Sequence, residues 1–396
     1  MNKVATGLQM LANDLSLQKE FKGNVALLCH NASIDANYVP AATKFKELFG
    51  DRFIKLFGPQ HGFSTDAQDN MIETDHFIHP YFNIPVYSLY SETRIPTDEM
   101  LAQIDHLFVD LQDVGCRMYT YIYTLTLLLD KCVDKNIEVI VLDRPNPLNG
   151  NTLEGNILDT DFASFIGLHP IPVRHGMTIG EVGFMHQQFW AKNKVSYRVI
   201  RMQNWERNMF FEDTSLPWLL PSPNLARPES AYTFPGIVLF EGTGLSEGRG
   251  TTQSLEIVGH PKIKPFEFYE DHLKEVLNNA QLPGIAFRPI TFLPTFQKQA
   301  DYVCGGLQMH ITDKNTCKPW RAGQLVMREL YKYLGDDFKW KMPPYEYDYT
   351  HMPIDIINGT DVLRKWVESC GDMDELDALE DYETYRQQLE GIKLYA

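Results

Sequence analysis

The chain has 396 residues, of which 44% are hydrophobic and 22% are charged. This length exceeds what one hydrophobic core usually organises, so we expect two domains, and the ordinary composition excludes a fibrous or disordered protein. The 36 basic residues stand against 52 acidic ones, which gives a net charge of −16. Because that is the wrong sign for a surface that follows phosphates, we expect no nucleic-acid partner.

The sequence predicts neither membrane insertion nor disulfides. No apolar run reaches the roughly 20 residues that a spanning helix needs. The N-terminal residues lack the basic and apolar pattern of a signal peptide, so we expect a cytoplasmic protein, or a periplasmic or secreted one if a leader has been removed. The six cysteines form no CxxC pair, which favours reduced thiols and argues against a zinc site.

Short runs of β-branched apolar residues alternate with longer amphipathic stretches in the first half of the chain. This alternation predicts βαβ units and a parallel sheet, that is, an α/β fold. The predicted strands are 24–29, 53–57, 106–111, 138–142 and 197–202, and the predicted helices are 41–48, 97–104, 119–134 and 179–190.

The pattern changes after residue 203, where the segment 217–230 carries four prolines and no periodicity. We therefore predict a parallel-sheet N-terminal domain at 1–230 and a smaller α+β C-terminal domain at 231–396. The second domain is predicted to contain strands at 236–240 and 308–311, and helices at 266–279, 322–334 and 359–369.

Three predicted strands end in polar segments with glycine or proline: GPQHGF, QDVGCRMYTY and DRPNPLNG. The carboxyl ends of parallel strands meet at one edge of a sheet, so these segments predict one ligand cleft. In the first segment, a histidine beside an amide, with acids close behind, could bind sugar hydroxyls and supply a proton; a solvated turn is the alternative. The candidates there are Gln60, His61, Asp69, Asn70 and Glu73.

The second segment places Asp110 and Asp113 at the end of an apolar strand, followed by Arg117, Tyr119 and Tyr121. Two buried carboxylates need a cationic partner such as Arg117. The tyrosines suit sugar stacking and hydroxyl recognition. A purely structural ion pair is the alternative.

The third segment holds its polar side chains between two prolines, which is a rigid binding geometry or an ordinary tight turn. Further polar residues downstream could line the same cleft. The candidates in this part of the chain are Asp143, Arg144, Asn146, Glu154 and His175.

A glycine-rich segment, EGTGLSEGRGTT, surrounds Glu247 and Arg249 with glycines that let the backbone approach a ligand closely. A flexible surface loop is the alternative. The segment lacks the Lys-Ser/Thr ending of a phosphate-binding loop, and no GxGxxG follows the first strand, so no nucleotide cofactor is predicted. His76 and His79 with Asp75 are too weak a pattern to predict a metal.

Eight motifs in order carry a family resemblance: GPQHGF, PVYSLY, FVDLQDVGCRMYTYIYT, VLDRPNP, LEGNIL, PVRHGMTIGE, LPSPN and EGTGLSEGRGTT. Together they resemble the NamZ-type exo-β-N-acetylmuramidases, a glycoside hydrolase family once catalogued as a domain of unknown function. The resemblance runs from about residue 24 to the C-terminus. It implies a Rossmann-like N-terminal domain and a cofactor-free cleft between two domains that releases N-acetylmuramic acid from the non-reducing end of peptidoglycan-derived glycans.

One departure from the family pattern concerns the first motif, which usually reads Pro-Glu-His-Gly with a glutamate thought to be catalytic. This chain has Gln60, and an amide cannot act as a general acid. The hypotheses are that Glu73 or Glu247 is the acid, that Asp113 or Asp69 is its carboxylate counterpart, and that Arg144 or Arg249 binds the lactyl carboxylate of muramic acid. A variant mechanism, and a protein that binds muramic-acid sugars without hydrolysing them, are alternatives, and a nucleotide-dependent enzyme is a more distant one.

Overall fold

The computed structural model describes residues 3–68 and 71–396. Within these residues, ten strands form one large and one small sheet. The strands are β1 (Val25–Cys29), β2 (Phe53–Gly58), β3 (Phe77–Ile78), β4 (Pro85–Ser88), β5 (His106–Asp110), β6 (Glu138–Leu142), β7 (Ser196–Ile200), β8 (Ile257–His260), β9 (Ile285–Phe292) and β10 (Cys304–Ile311).

Helices cover both faces of the large sheet and form much of the C-terminal part. They are α1 (Gly7–Asn13), α2 (Leu15–Glu20), α3 (Ala41–Phe49), α4 (Asp98–Leu101), α5 (Tyr121–Lys131), α6 (Ile179–Met185), α7 (Pro228–Ile237), α8 (Pro265–Glu267), α9 (Lys274–Ala280), α10 (Pro319–Leu334), α11 (Pro353–Asn358), α12 (Val362–Ser369), α13 (Asp374–Asp377) and α14 (Glu383–Ile392). No helix in the described ranges is long and apolar enough to cross a membrane.

The seven strands of the large sheet follow the order β3-β4-β2-β1-β5-β6-β7. All neighbours pair in parallel except the short edge strand β3, which is antiparallel to β4. The small sheet, β8-β10-β9, is antiparallel. This is the predicted architecture, an α/β fold with a Rossmann-like parallel sheet followed by a smaller α+β part.

The predicted strand at 236–240 is wrong. Those residues end α7 and continue into a 3₁₀ turn, Val238–Gly242. The run is buried on all sides, and a uniformly apolar run does not distinguish a buried helix from a buried strand. The five strands predicted in the first half are confirmed to within two residues at each end.

The largest hydrophobic cluster joins the two parts of the chain. It contains Phe57 and Val141 from the large sheet together with Trp320 and Val326 from α10. The boundary at residue 230 remains a prediction, because the segments on its two sides share this core.

Candidate active site

A cavity lies where the two parts of the chain meet. Both parts contribute to its wall, which consists of Gln60, His61, Met118, Tyr119, Thr120, Ile166, Ser222, Leu225, Phe234, Val238, Glu241, Arg249, Leu255, Tyr345 and Glu346.

The turn after β2 supplies Gln60 and His61. A side chain at Gly58 would place its Cβ 2.6 Å from the backbone nitrogen of Phe63, so only glycine lets the chain fold back so closely. The Thr120 hydroxyl donates to Gln60 Oε1 at 2.6 Å. This bond fixes the amide of Gln60 at the cavity wall.

His61 lies in the cavity wall as a neutral imidazole. Burial lowers its pKa to about 4. Its Nδ1 lies 2.8 Å from the carbonyl oxygen of Ala67, and only a protonated Nδ1 can donate to that oxygen. The other ring nitrogen, Nε2, is therefore left as a hydrogen-bond acceptor.

Tyr119 belongs to the turn that precedes α5. Its ring packs edge to face with Tyr121, with centroids 4.6 Å apart. Tyr119 lines the cavity, whereas Tyr121 lies behind it and donates from its hydroxyl to the Pro221 carbonyl at 2.7 Å. Of the two tyrosines predicted for sugar recognition, the structure brings only Tyr119 to the cavity.

The glycine-rich segment contributes Glu241 and Arg249. Arg249 Nη2 forms an ion pair with Glu241 Oε1, and its Nε donates to Glu247 Oε1 at 3.0 Å. Glu247 lies behind the cavity, where its second oxygen also pairs with Lys298 Nζ at 2.6 Å. The segment is thus a buried, charged part of the wall and not a flexible surface loop.

Glu241 is held in its ionised form. Burial alone would raise its pKa, but the charge of Arg249, a hydrogen bond from Tyr345 and the charge of Lys298 together lower that pKa below its usual 4.5. The Tyr345 hydroxyl donates to Glu241 Oε2 at 2.6 Å.

The pKa of Glu346 is shifted in the opposite direction to that of Glu241. Burial, followed by the negative charge of Glu241, raises its pKa to about 7. The Tyr90 hydroxyl donates to its Oε2 at 3.3 Å. The cavity therefore contains one carboxylate that stays ionised and one carboxyl group that keeps its proton up to near-neutral pH.

The ion pair expected between the strand-end carboxylates and Arg117 does not form. Instead, Arg144 binds Asp110 with two bonds, from Nε to Oδ1 at 2.5 Å and from Nη2 to Oδ2 at 2.9 Å. Asp113 accepts from the Gly115 backbone N–H at 2.7 Å and lies 3.4 Å from His175 Nε2. These four side chains are buried away from the cavity.

Arg117 is a fully buried guanidinium that donates to backbone carbonyls. Its four partners are the carbonyls of Asn156 at 2.7 Å, Ile171 at 2.9 Å, Ile357 at 3.4 Å and Asn358 at 2.7 Å. Burial lowers its pKa to about 10. Arg117 therefore ties the large-sheet part of the chain to the C-terminal helices.

The candidates after β6 do not line this cavity, so their place in a ligand cleft stays a prediction. Asp143 accepts hydroxyl bonds from Thr178 at 2.8 Å and Tyr395 at 2.6 Å. Asn146 donates to the Met177 carbonyl, and Glu154 pairs with Arg174. Asp69 and Asn70 lie outside the described residues.

Glu73 is exposed and does not border the cavity. It accepts from the Tyr347 hydroxyl at 3.0 Å and pairs with Arg94 at 3.4 Å. Among the described residues, no group of histidines, cysteines and acids is placed to hold a metal ion.

Sequence reasoning missed Glu346 and did not single out Glu241. The glycine-rich motif begins with Glu241, whereas the acid predicted within it is Glu247. Glu346 lies in PPYEYDYT, where an acid flanked by aromatic residues after two prolines is a usable signal for a sugar-binding loop.

The fold and the cavity define an α/β protein whose polar, carboxylate-containing site lies between a Rossmann-like part and a smaller C-terminal part. Two family models match, exo-β-N-acetylmuramidase NamZ, N-terminal, over residues 25–229, and exo-β-N-acetylmuramidase NamZ, C-terminal, over residues 232–395. The chain belongs to the NamZ exo-β-N-acetylmuramidase family, as its motifs indicated.

Known relatives cover most or all of the chain. The peptidoglycan β-N-acetylmuramidase NamZ of Bacillus subtilis (strain 168) is 40% identical over 338 residues, which is 85% of this chain and 80% of that protein. Crystal structures of two DUF1343 family proteins from Bacteroides fragilis NCTC 9343 superpose with TM-scores of 0.85 and 0.75. Each is 27% identical and covers 100% of this chain and 99% of its own.

Proposed function

We propose that this protein is a glycosidase that releases N-acetylmuramic acid from the non-reducing end of peptidoglycan-derived glycans. The observation that carries the proposal is the pair of buried acids, Glu241 and Glu346, in one cavity with opposite protonation tendencies. Glycoside hydrolysis needs two such groups, one ionised and one with a raised pKa. Family membership and the named activity of the Bacillus subtilis relative support the substrate class.

Glu346 is assigned as the general acid. It gives its proton to the glycosidic oxygen as the bond from that oxygen to the anomeric carbon breaks. Glu241 is the counterpart carboxylate and stabilises the positive charge that develops on the sugar, either by attacking the anomeric carbon or by activating a water. This assignment replaces Glu73, which is exposed, and Glu247, which lies behind the cavity wall.

Arg249 is the better of the two arginines considered for the lactyl carboxylate. The Nε and Nη2 atoms of Arg144 are already bound to the two carboxylate oxygens of Asp110. Arg249 borders the cavity, and its buried Nη1 has no hydrogen-bond partner among the described residues. A buried donor without a partner is costly, and a substrate carboxylate at Nη1 would satisfy it. Gln60 and His61 also line the cavity, and in the proposed complex they bind sugar hydroxyl or acetamido groups.

The test compares two substrates in the single variants Glu241→Gln and Glu346→Gln. One substrate is the disaccharide N-acetylmuramyl-N-acetylglucosamine, and the other is a nitrophenyl N-acetylmuramide whose leaving group needs little protonation. Glu346→Gln is expected to lose roughly 10²- to 10⁴-fold on the disaccharide and much less on the nitrophenyl glycoside. Glu241→Gln is expected to lose activity on both substrates.

The exposed Glu270, which pairs with Lys274 on the surface, provides the matched control, and Glu270→Gln should behave as wild type. Wild-type turnover of the disaccharide by both cavity variants would rule out this pair of acids.

A second candidate function is binding without efficient turnover. It is favoured by Gln60, which lies in the cavity at the position where the family resemblance places a glutamate. Calorimetry with the disaccharide would then show binding while no N-acetylmuramic acid is released. A gain of turnover in Gln60→Glu would support this candidate over the Glu241 and Glu346 pair.

A further inference from the structure

The loop that contains Glu346 has an unfavourable backbone conformation at two consecutive residues. Glu346 has φ +46° and Tyr347 has φ +67°. These angles lie in the left-handed region of backbone conformation, which residues other than glycine rarely adopt. Such a backbone conformation is strained and persists only when its surroundings fix it. Contacts from elsewhere in the fold must therefore hold Glu346 in place.

Those contacts come from the segment after β4. The Arg94 guanidinium contacts two rings, with its Cζ 4.4 Å from the centroid of Tyr90 and 4.0 Å from that of Tyr347. Arg94 Nη1 donates to the Ser91 carbonyl at 2.6 Å, which anchors the guanidinium to its own segment.

The same cluster reaches the carboxyl group itself. Tyr90 contacts Arg94 through its ring and donates from its hydroxyl to Glu346 Oε2. Tyr347 also contacts Arg94 through its ring and donates from its hydroxyl to Glu73 Oε1, and Glu73 pairs with Arg94. We call Glu73, Tyr90, Arg94 and Tyr347 the Arg94 clamp.

We propose that Arg94 is a positioning residue for Glu346: through its contacts with the rings of Tyr90 and Tyr347, it holds the strained backbone at 346–347 and directs the Glu346 carboxyl group to the cavity. This inference rests on the proposed function, because it concerns the group assigned there as the acid. It also gives Glu73 a role in the clamp, in place of the catalytic role predicted from the sequence.

Arg94 acts on Glu346 through its charge as well as through its shape. The titratable and charged groups that act on Glu346 include Glu241, Tyr90, Arg94, Lys341 and the neighbouring Tyr345. Burial and the charge of Glu241 raise the pKa of Glu346, whereas Arg94 and Lys341 lower it. Removing the charge of Arg94 should therefore raise the pKa of Glu346 further, and removing its planar shape should disturb the position of the carboxyl group.

Two substitutions separate these effects. Arg94→Lys keeps the charge but loses the planar group that contacts both rings. We therefore expect kcat on the disaccharide to fall roughly 10- to 100-fold. KM, and the pH at which kcat declines on the basic side, should change little. Arg94→Met loses both the charge and the planar group. We therefore expect kcat to fall, and the basic limb of the kcat profile, where activity declines with rising pH, to move to higher pH.

The matched control is Arg198→Met. Arg198 stacks on Phe21 at 4.6 Å and pairs with Glu138, so it makes the same kinds of contact without bordering the cavity. This variant should lower the melting temperature and leave kcat and the pH profile unchanged.

Wild-type kcat in Arg94→Lys, together with an unmoved basic limb in Arg94→Met, would overturn the inference. If Arg94→Met fails to fold, kcat of Arg94→Lys decides. Loss of activity in Glu346→Gln with normal Arg94 variants would refute only the positioning role, whereas full activity in Glu346→Gln would refute the assignment of the acid.

Discussion

The hydroxyl of Tyr345 donates a 2.6 Å hydrogen bond to Glu241 Oε2, and Tyr345 is the residue immediately before Glu346. One short stretch of chain therefore stabilises the charge on one cavity acid and carries the other. The charge held on Glu241 in turn favours the protonated form of Glu346. The two acids are thus coupled by the charge of Glu241.

Replacing Tyr345 with Phe should raise the pKa of Glu241. The substitution removes a hydrogen bond to a charged group, worth roughly 1.5–3 kcal/mol, and keeps the ring. Such a loss corresponds to a shift of about one pKa unit or more. The acidic limb of the kcat/KM profile should move to higher pH, and an unchanged acidic limb would contradict the role given to Glu241.

The wild-type enzyme should lose activity on the disaccharide above about pH 7, because Glu346 must be protonated and its pKa is raised to about 7. The acidic limb should lie below pH 4.5, because Glu241 must be ionised and its pKa is lowered. The measurement is kcat/KM from pH 3 to 9. The nitrophenyl substrate serves as the control, since its basic limb should be weaker.

Glu346→Gln should stabilise the protein at alkaline pH. In the wild type, the pKa of Glu346 is about 7 when folded and 4.5 by reference, so the folded state binds the proton more tightly and stability falls as pH rises between these values, by roughly 3 kcal/mol. Gln carries no charge and avoids this loss. The melting temperature of the variant relative to wild type should rise from pH 4 to pH 8, and a constant difference would contradict the raised pKa.

Arg117→Lys should destabilise the fold by roughly 3 kcal/mol or more. An ammonium cannot reach the four backbone carbonyls that the Arg117 guanidinium binds, and each unsatisfied buried acceptor costs about 1–3 kcal/mol. Urea unfolding gives the free energy change. At temperatures where the variant is folded, kcat should match the wild type. A selective loss of kcat would instead indicate that Arg117 acts in the active site.

Gly323→Ala should destabilise the contact between α7 and α10. A Cβ at Gly323 would lie 2.2 Å from the Gly236 carbonyl oxygen, so the helices would have to separate. Gly391→Ala in α14 is the matched control. Its Cβ would meet only Gln188 Nε2 at 3.8 Å, and the better helix propensity of alanine should make it neutral or stabilising by up to about 1 kcal/mol. Equal melting temperatures for the two variants would contradict this packing.

The site could be predicted in part. Gln60, His61, Tyr119 and Arg249 line the cavity as the motifs indicated. Asp110 and Asp143 resembled site residues because polar groups at strand ends look alike in sequence, whether they meet a ligand or the scaffold. Their partners, Arg144 for Asp110 and Tyr395 for Asp143, could not be identified without the fold.

The sequence by itself was enough to predict the parallel sheet and the family membership. The hydrophobic periodicity, the runs of β-branched residues and the ordered motifs that indicate them are all local properties of the chain. Only the tertiary structure decided which acids share the cavity. Glu346 acquires its burial and its raised pKa from Tyr90, Arg94 and Glu241. These residues are distant from it in sequence, and the free energy of a buried charge depends on its neighbours in space.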